Sequence, residues 1–433
     1  MKKMHFSMGD KILVTTKDDN IQGIFIPSQN QKNITLKLDS GYNISLQKNN
    51  ILSIKLLQKH KQTQQKTSKA QFNKNLPTIA ILHTGGTISS KVSYETGAVS
   101  AQFSAEDLLA KFPELKNIAN VKSKLVANIL SENIRFHNYN ILAKEIAEKI
   151  KHKPKGIIVT HGTDTLHYTS TALAFILENI PVPVILVGSQ RSSDRPSTDA
   201  AQNLIHAAKF IAETNFKGVA VCMHSSSNDD SSLILPPCKI RKLHTARRDA
   251  FKAINSSPIA TINNKITMLS KQSEPKGDFK LKPINENLKI GILKTHPSLY
   301  AKEIENYKSF DALILEGTGL GHIPIEKIDS KSSENLKIFN AIKKLAKKIP
   351  VIMTSQCIFG AVNMNVYSTG RKLIQAGVMN NLSDISTEAA FIKAAWLLSN
   401  HKKDFLKLWN QNLRGELNPR ILPSQYISEK EVK

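Results

Sequence analysis

One stretch decides the fold of this chain: Pro77-Thr78-Ile79-Ala80-Ile81-Leu82-His83-Thr84-Gly85-Gly86-Thr87-Ile88. Its first half is an unbroken apolar run, which is typical of a parallel strand buried on both faces of a sheet. The Gly-Gly pair ends that strand in a turn, because glycine adopts backbone angles that are closed to other residues. A threonine on each side of the turn then places a hydroxyl at the carboxyl edge of the sheet, where α/β proteins bind ligands.

A second stretch repeats this arrangement: Gly156-Ile157-Ile158-Val159-Thr160-His161-Gly162-Thr163-Asp164-Thr165. Taken alone, the first stretch also fits a phosphate-cradling turn or a plain tight loop. Two such turns in one sheet, with a carboxylate and without Gly-x-x-x-x-Gly-Lys, argue against a nucleotide site. They favour acyl chemistry, in which a threonine Oγ attacks a carbonyl and a neighbouring base takes its proton.

Length and composition bound the class of protein. A chain of 433 residues is too long for one compact core, so we expect two or three domains. Apolar runs such as Val182 to Val187 are far shorter than a membrane span, and the lysines near Met1 precede no apolar stretch, which argues against a signal peptide. The cysteines Cys222, Cys238 and Cys357 lack metal-ligand spacing, which fits buried small residues in a reducing cytoplasm.

Net charge is the unusual property of this sequence. Lysine and arginine number 60 against 35 acidic residues, which gives a formal charge of +25 and a pI near 9.8. A field of that sign attracts polyanions, and RNA is the obvious cytoplasmic candidate. The alternative is that the lysines are scattered over solvated faces and bind nothing, and charge alone leaves both interpretations open.

The fold class predicted from periodicity is α/β, with a small β domain in front. Five short alternating strands in 1–57 predict a small SH3-like β-barrel, followed by a basic polar linker at 58–76. Alternating strands and helices in 77–276 predict a doubly wound parallel sheet, and a linker at 277–287 leads to a smaller α/β domain in 288–433.

Several element boundaries follow from the same patterns. We expect a strand from Ser123 to Ile129, a helix from Thr169 to Glu178, and a hairpin between Ser225 and Lys242. After Leu413 we expect an extended, partly disordered tail. In the helix predicted for Glu334 to Lys348, four lysines are expected to form a solvated face: Lys343, Lys344, Lys347 and Lys348.

The two threonine-bearing turns resemble the two signatures of the asparaginase/glutaminase family. This resemblance implies that Thr87 is the nucleophile and that Tyr94, in the loop that follows, closes over the site and assists proton transfer. It also implies that Thr163, Asp164 and Lys242 form a Thr-Asp-Lys triad. For Lys242 the neighbouring cations Lys239, Arg241, Arg247 and Arg248 are the rival candidates, and Tyr94 could instead be an ordinary loop aromatic.

The same resemblance implies how a substrate is held. Ser131 and its neighbour Glu132 would bind the substrate, with Ser131 on the α-carboxylate, while Asp164 would also pair with the α-ammonium group. Backbone N–H groups around Gly86 and Thr163 would form the oxyanion hole. Three flanking residues are expected to be structural: Thr84 bonded within its turn, and His83 and His161 packed or hydrogen-bonded.

The order of barrel, linker and asparaginase-like core resembles the GatD family of archaeal tRNA-dependent amidotransferases. The stretches that carry this resemblance are Gly188 to Pro196, Lys242 to Phe251, Met353 to Cys357 and Asn363 to Gly370. The family implies hydrolysis of glutamine or asparagine and transfer of ammonia to a GatE-type partner subunit, which activates Glu-tRNA(Gln) with ATP and Mg²⁺. It implies no metal or cofactor in this chain, a homodimer of it within a heterotetramer, and no membrane contact.

Two other functions stay open at this point. One is a free cytoplasmic L-asparaginase with an appended module, and the other is a non-catalytic docking or scaffold subunit whose barrel carries the function. The presence of Thr87, Thr163, Asp164 and Lys242 together argues against the second, since an inactive site would be expected to have lost one of them.

Overall fold

The computed structural model of the chain describes residues 6–7, 9–26, 28, 32–39, 43–59, 72–85, 90–92, 99–101, 105–191, 198–270 and 274–426. Three predicted site residues, Gly86, Thr87 and Tyr94, lie outside these ranges, as does most of the predicted linker.

The amino-terminal unit is a five-stranded antiparallel sheet. Its strands are β1 (Lys11–Thr16), β2 (Asn20–Ile26), β3 (Asn33–Lys37), β4 (Asn43–Gln47) and β5 (Ile51–Gln58). The spatial order β4-β3-β2-β1-β5 is a meander whose last strand returns to pair with the first. Alternate residues of β1 and β3 point inward, and Ile12, Val14, Ile34 and Leu36 form a small core. The small β-rich domain predicted from alternation is confirmed.

The central unit is built on an eight-stranded sheet with the order β18-β17-β14-β13-β12-β10-β6-β9. The elements of this unit are β6 (Thr78–His83), β7 (Ser90–Val92), β8 (Val99–Ala101), α1 (Ala105–Lys111), β9 (Asn120–Leu125), α2 (Phe136–Ile150), β10 (Gly156–Thr160), α3 (Leu166–Ile176), β11 (Leu177–Glu178), β12 (Pro183–Val187), α4 (Ala200–Glu213), β13 (Gly218–His224), β14 (Ser232–Leu235), β15 (Ile240–Lys242), β16 (Phe251–Ala253), β17 (Ala260–Ile262), β18 (Ile266–Met268) and β19 (Lys280–Leu281).

The strands from β13 to β9 are parallel, and helices cover both faces of the sheet. Helices α2 and α3 contribute to the apolar cluster on one face, and α1 and α4 contribute to the cluster on the other. The doubly wound parallel sheet is therefore confirmed. Because β6 and β10 are neighbours in register, with Thr160 opposite His83, the turns that follow them meet at one edge.

Three local predictions differ from the structure. Strand β9 ends at Leu125 rather than Ile129, and α3 begins at Leu166 rather than Thr169. The stretch from Ser225 to Lys242 is not a single hairpin: β14 pairs antiparallel with β13, whereas β15 pairs with β16. The pattern of apolar residues shows that these short strands exist but does not determine their partners.

The carboxy-terminal unit is a four-stranded parallel sheet with helices around it. Its elements are β20 (Ile290–Lys294), α5 (Ala301–Glu305), β21 (Ala312–Gly317), α6 (Glu334–Ala346), β22 (Val351–Ser355), α7 (Ser368–Gln375), β23 (Val378–Met379), α8 (Thr387–Asn400) and α9 (Phe405–Trp409). The smaller α/β unit is confirmed. Helix α8 packs in the same apolar cluster as α2 and α3, so the two α/β units share a core.

The segment after Leu413 is not the loose tail that the sequence predicts. Arg414 donates to the carbonyl oxygen of Ala174 at 3.0 Å and to Glu178 at 2.7 Å, while Glu416 is fully buried against Lys393. These charged partners, far away in sequence, hold the segment against both α/β units. Within the described residues, no helix has the length and apolar content needed to span a bilayer.

Candidate active site

Lys242 reaches the turn of the second signature, 78 positions earlier in the chain. The sequence Thr163–Thr165 forms a single 3-10 turn directly after β10, and Lys242 is the last residue of β15. The lysine Nζ donates to Thr163 Oγ1 at 2.9 Å and to Asp164 Oδ1 at 2.7 Å. The lysine side chain is 11% exposed and the Asp164 side chain 64%, so a shielded amine adjoins a carboxylate that faces solvent.

The four rival cations near Lys242 are occupied elsewhere. Each forms an ion pair with a different carboxylate: Lys239 with Asp384, Arg241 with Glu388, Arg247 with Asp249, and Arg248 with Asp229. Lys239 and Arg241 share one side of the strand and the lysine at 242 the other, as strand alternation requires. The geometry therefore selects Lys242 as the amine of the triad, although its catalytic role stays a prediction.

Ser131 lies against the same turn. Its backbone oxygen accepts a 2.7 Å hydrogen bond from Thr165 Oγ1, and a Cβ placed on Gly162 would come within 2.8 Å of the Ser131 hydroxyl oxygen. Close approach of these two backbones thus depends on glycine at 162. Glu132 points away into solvent and makes no hydrogen bond or ion pair within the described part of the chain. The predicted substrate contacts of Ser131 and Glu132 remain predictions.

Thr84 is tied into the sheet rather than presented to a ligand. It is buried, and its hydroxyl donates to the carbonyl oxygen of Thr160 at 2.9 Å, while its backbone N–H donates to the same oxygen at 3.1 Å. Gly85 follows with a φ of +107°, which favours glycine at the turn. Because Gly86, Thr87 and Tyr94 lie outside the described residues, their assigned roles stay predictions.

Three histidines surround the site as packed, neutral groups. His83 bonds the hydroxyls of Thr160 and Ser123, and His161 bonds the Gly162 carbonyl oxygen at 2.7 Å and Thr169 Oγ1 at 2.8 Å. Burial lowers the pKa of His83 and of His161 to about 4, and burial followed by nearby cations lowers the pKa of His167 to about 3. Neutral imidazoles of this kind serve as fixed hydrogen-bonding groups at neutral pH.

Sequence reasoning missed two polar residues on the turn after β12. Gln190 Oε1 lies 3.5 Å from Thr163 Oγ1, and the buried carboxylate of Asp199 accepts hydrogen bonds of 3.0 Å from Ser189 Oγ and from the backbone N–H groups of Gln190 and Arg191. Their signal was the polar turn after a third parallel strand, at the edge that carries the two signatures.

Family models match most of the chain. The description "Asparaginase, N-terminal" matches residues 78–274, "Glutaminase/Asparaginase C-terminal domain" matches 289–407, and "GatD N-terminal domain" matches 6–57. Among solved structures, the thermostable L-asparaginase from Thermococcus kodakarensis has a TM-score of 0.70 at 28% identity, covering 79% of this chain and 100% of that chain. L-asparaginase I from Vibrio cholerae has a TM-score of 0.68 at 27% identity, covering 79% and 99%. Fold and site together define an asparaginase-like protein with an additional amino-terminal domain.

Curated relatives extend this similarity over nearly the full length. The glutamyl-tRNA(Gln) amidotransferase GatD protein of Methanococcus maripaludis is 40% identical over 428 residues, 96% of this chain and 99% of the relative. The GatD protein of Pyrococcus furiosus is 38% identical over 445 residues, 99% of this chain and 98% of the relative. The chain belongs to the GatD family of glutamyl-tRNA(Gln) amidotransferase subunits.

Proposed function

We propose that this chain is the amide-hydrolysing, ammonia-releasing subunit of a glutamyl-tRNA(Gln) amidotransferase. The observation that carries the proposal is the position of Lys242 Nζ between Thr163 Oγ1 and Asp164 Oδ1. A hydroxyl, a shielded amine and a carboxylate in one hydrogen-bonded group can relay a proton from an attacking threonine. The full-length similarity to GatD proteins supports the tRNA-dependent context.

The proposed reaction runs through an acyl-threonine intermediate. Thr87 Oγ attacks the carboxamide carbon of glutamine or asparagine, and its proton passes to the departing nitrogen with the help of Tyr94 or of the group formed by Thr163, Lys242 and Asp164. The C–N bond breaks and ammonia leaves. Water then cleaves the ester to release glutamate or aspartate and free Thr87.

Ammonia supplied in this way would be used by a GatE-type partner subunit. That partner would activate the γ-carboxyl of Glu-tRNA(Gln) with ATP and Mg²⁺, so the net product is Gln-tRNA(Gln). We propose two copies of this chain with two of the partner, acting in the cytoplasm. The charge of +25 would help to steer tRNA toward the complex.

Ammonia release decides between this function and a free asparaginase. Purified protein is assayed with glutamine and with asparagine, first alone and then with its partner and Glu-tRNA(Gln). Glutamine hydrolysis that appears or rises sharply only with partner and charged tRNA supports the proposal. High activity on asparagine that is indifferent to tRNA supports a free asparaginase, and no activity under either condition supports a docking role.

A further inference from the structure

The side-chain amide of Gln190 is only half satisfied, and it lies beside the reacting groups. Its Oε1 lies 3.5 Å from Thr163 Oγ1, whereas its Nε2 is buried and has no hydrogen-bond partner within the described residues. Lys242 Nζ–H already donates to the Thr163 hydroxyl, so that hydroxyl is free to donate its own proton to Gln190 Oε1. Two N–H bonds of Gln190 therefore remain for another acceptor.

The turn that carries this amide is rigid. Its backbone is cradled by the buried Asp199, which accepts from the N–H groups of Gln190 and Arg191. At the start of the turn, a Cβ on Gly188 would come within 2.8 Å of Thr163 Cγ2, so the turn is packed directly against the threonine. A donor held this firmly loses little entropy when it meets a ligand.

Strand order places Gln190 on the reacting side of the site. The turns follow neighbouring strands in the order β12, β10, β6 and β9, so Gln190 and Ser131 come from opposite sides of β10. Ser131 contacts the turn at Gly162 and Thr165, whereas Gln190 contacts it at Thr163. If Ser131 holds the α-carboxylate, as proposed, the amide of Gln190 faces the carboxamide end of the substrate.

We infer that Gln190 is a further catalytic residue, whose Nε2 donates a hydrogen bond to the carboxamide oxygen of the substrate as negative charge develops there. It acts as a side-chain donor beside the proposed backbone donors of the oxyanion hole. This inference rests on the proposed amide hydrolysis and adds the group that recognises the reacting oxygen. Its acceptor is an uncharged carbonyl that becomes an oxyanion, rather than the α-carboxylate.

The test compares Gln190→Met and Gln190→Glu in the complete complex with Glu-tRNA(Gln). Both replacements are close to glutamine in size, and neither carries an N–H donor at neutral pH. We expect kcat for glutamine hydrolysis to fall by about 100-fold in both, with KM within about threefold of the original, as for loss of one oxyanion donor. Gln190→Glu should regain activity as pH falls, because its protonated carboxyl group offers an O–H donor.

A matched control lies nearby on α4. Gln202 also has a buried Nε2 without a partner among the described residues, but it contacts none of the proposed catalytic groups. Gln202→Met should keep kcat within about twofold, and thermal denaturation of all variants shows whether each is folded. If Gln190→Met does not fold, the pH profile of Gln190→Glu carries the test.

The outcomes separate this inference from the proposed function. Normal kcat in Gln190→Met, or a rise in KM at unchanged kcat, overturns the role of Gln190 while leaving amide hydrolysis intact. A pH profile for Gln190→Glu parallel to that of the original protein also overturns it. Full activity in Thr163→Ala overturns the proposed function itself, whatever Gln190 does.

Discussion

Lys239 and Asp384 form a buried ion pair between the two α/β units, with 2.6 Å between Nζ and Oδ2. Both side chains are only 2% exposed, and Nζ also donates to the backbone oxygen of Asp384 at 2.9 Å. Asn418 donates to the same carboxylate from its backbone N–H and from its side chain. Burial lowers the pKa of Lys239, and Asp384 opposes that effect by stabilising the ammonium form.

Removing one partner of this pair should destabilise the protein strongly. Lys239→Met leaves an uncompensated buried carboxylate, so we expect the free energy of unfolding to fall by about 3–5 kcal/mol. The double variant Lys239→Met/Asp384→Leu should lose less, because no charge remains buried. Urea denaturation measures both.

The exposed pair of Lys217 and Glu274 provides the control for that experiment. Lys217→Met should cost under about 1 kcal/mol, as expected for a surface ion pair. Equal losses in the single and double variants at the buried pair would show that removal of packing, rather than an unpaired charge, sets the cost.

The proposed triad predicts a loss of catalysis without loss of structure. We expect Thr163→Ala, Lys242→Met and Thr87→Ala each to lower kcat for amide hydrolysis by about 10³-fold or more, by analogy with other nucleophile–base groups. Ammonia release gives the rates, and co-purification with the partner subunit reports on the fold. Arg247→Met is the control, since that cation pairs with Asp249 and should leave kcat within about twofold.

Sequence patterns predicted the architecture and part of the site, for reasons visible in particular residues. The fully buried runs of β6 and β10 determine the sheet, and the turns after them place Thr84 and Thr163 at one edge. Lys242 was the weaker prediction, because several cations crowd its stretch and only tertiary pairing distinguishes them. Gln190 was missed, since its meaning depends on a contact with Thr163 that no local pattern contains.

The close approach of Gly162 and Ser131 predicts a specific binding defect. A methyl group at 162 would lie within 2.8 Å of Ser131 Cβ and Oγ, so Gly162→Ala should displace the proposed α-carboxylate contact. We expect KM for glutamine to rise about tenfold or more, since misplacement by about 1 Å can cost up to 10²-fold. Ser131→Ala should raise KM in the same direction. Unchanged KM in both variants would remove Ser131 from the substrate site.

The buried histidines predict that stability is lost on acidification. His83, His161 and His167 have folded-state pKa values of about 4, 4 and 3, against 6.5 for an exposed imidazole. Between these limits the unfolded chain binds more protons, so their contribution is complete above about pH 6.5 and falls as pH drops toward 4. Each pKa unit corresponds to about 1.4 kcal/mol.

Urea unfolding at pH 7.5 and pH 5 measures this dependence. The difference between the two pH values should shrink in His83→Asn, even though that variant is less stable overall because its hydrogen bonds to Thr160 and Ser123 are weakened. The exposed His152 is the matched control, and His152→Gln should leave the difference unchanged. A difference equal to that of the original protein in His83→Asn would show that other groups dominate the acid sensitivity.

Glu416 gives the order of synthesis a physical consequence. Lys393 Nζ, on α8, is fully buried and is matched by Glu416 Oε1 at 2.6 Å and by the carbonyl oxygens of Trp409 and Gln411 at 2.7 Å. While a ribosome still holds the chain short of Glu416, that ammonium has no counter-charge in its final pocket. Helix α8 also belongs to the core that both α/β units share. Final packing of the molecule must therefore wait for almost the last residues to be translated, and until then its core is exposed to chaperones and proteases.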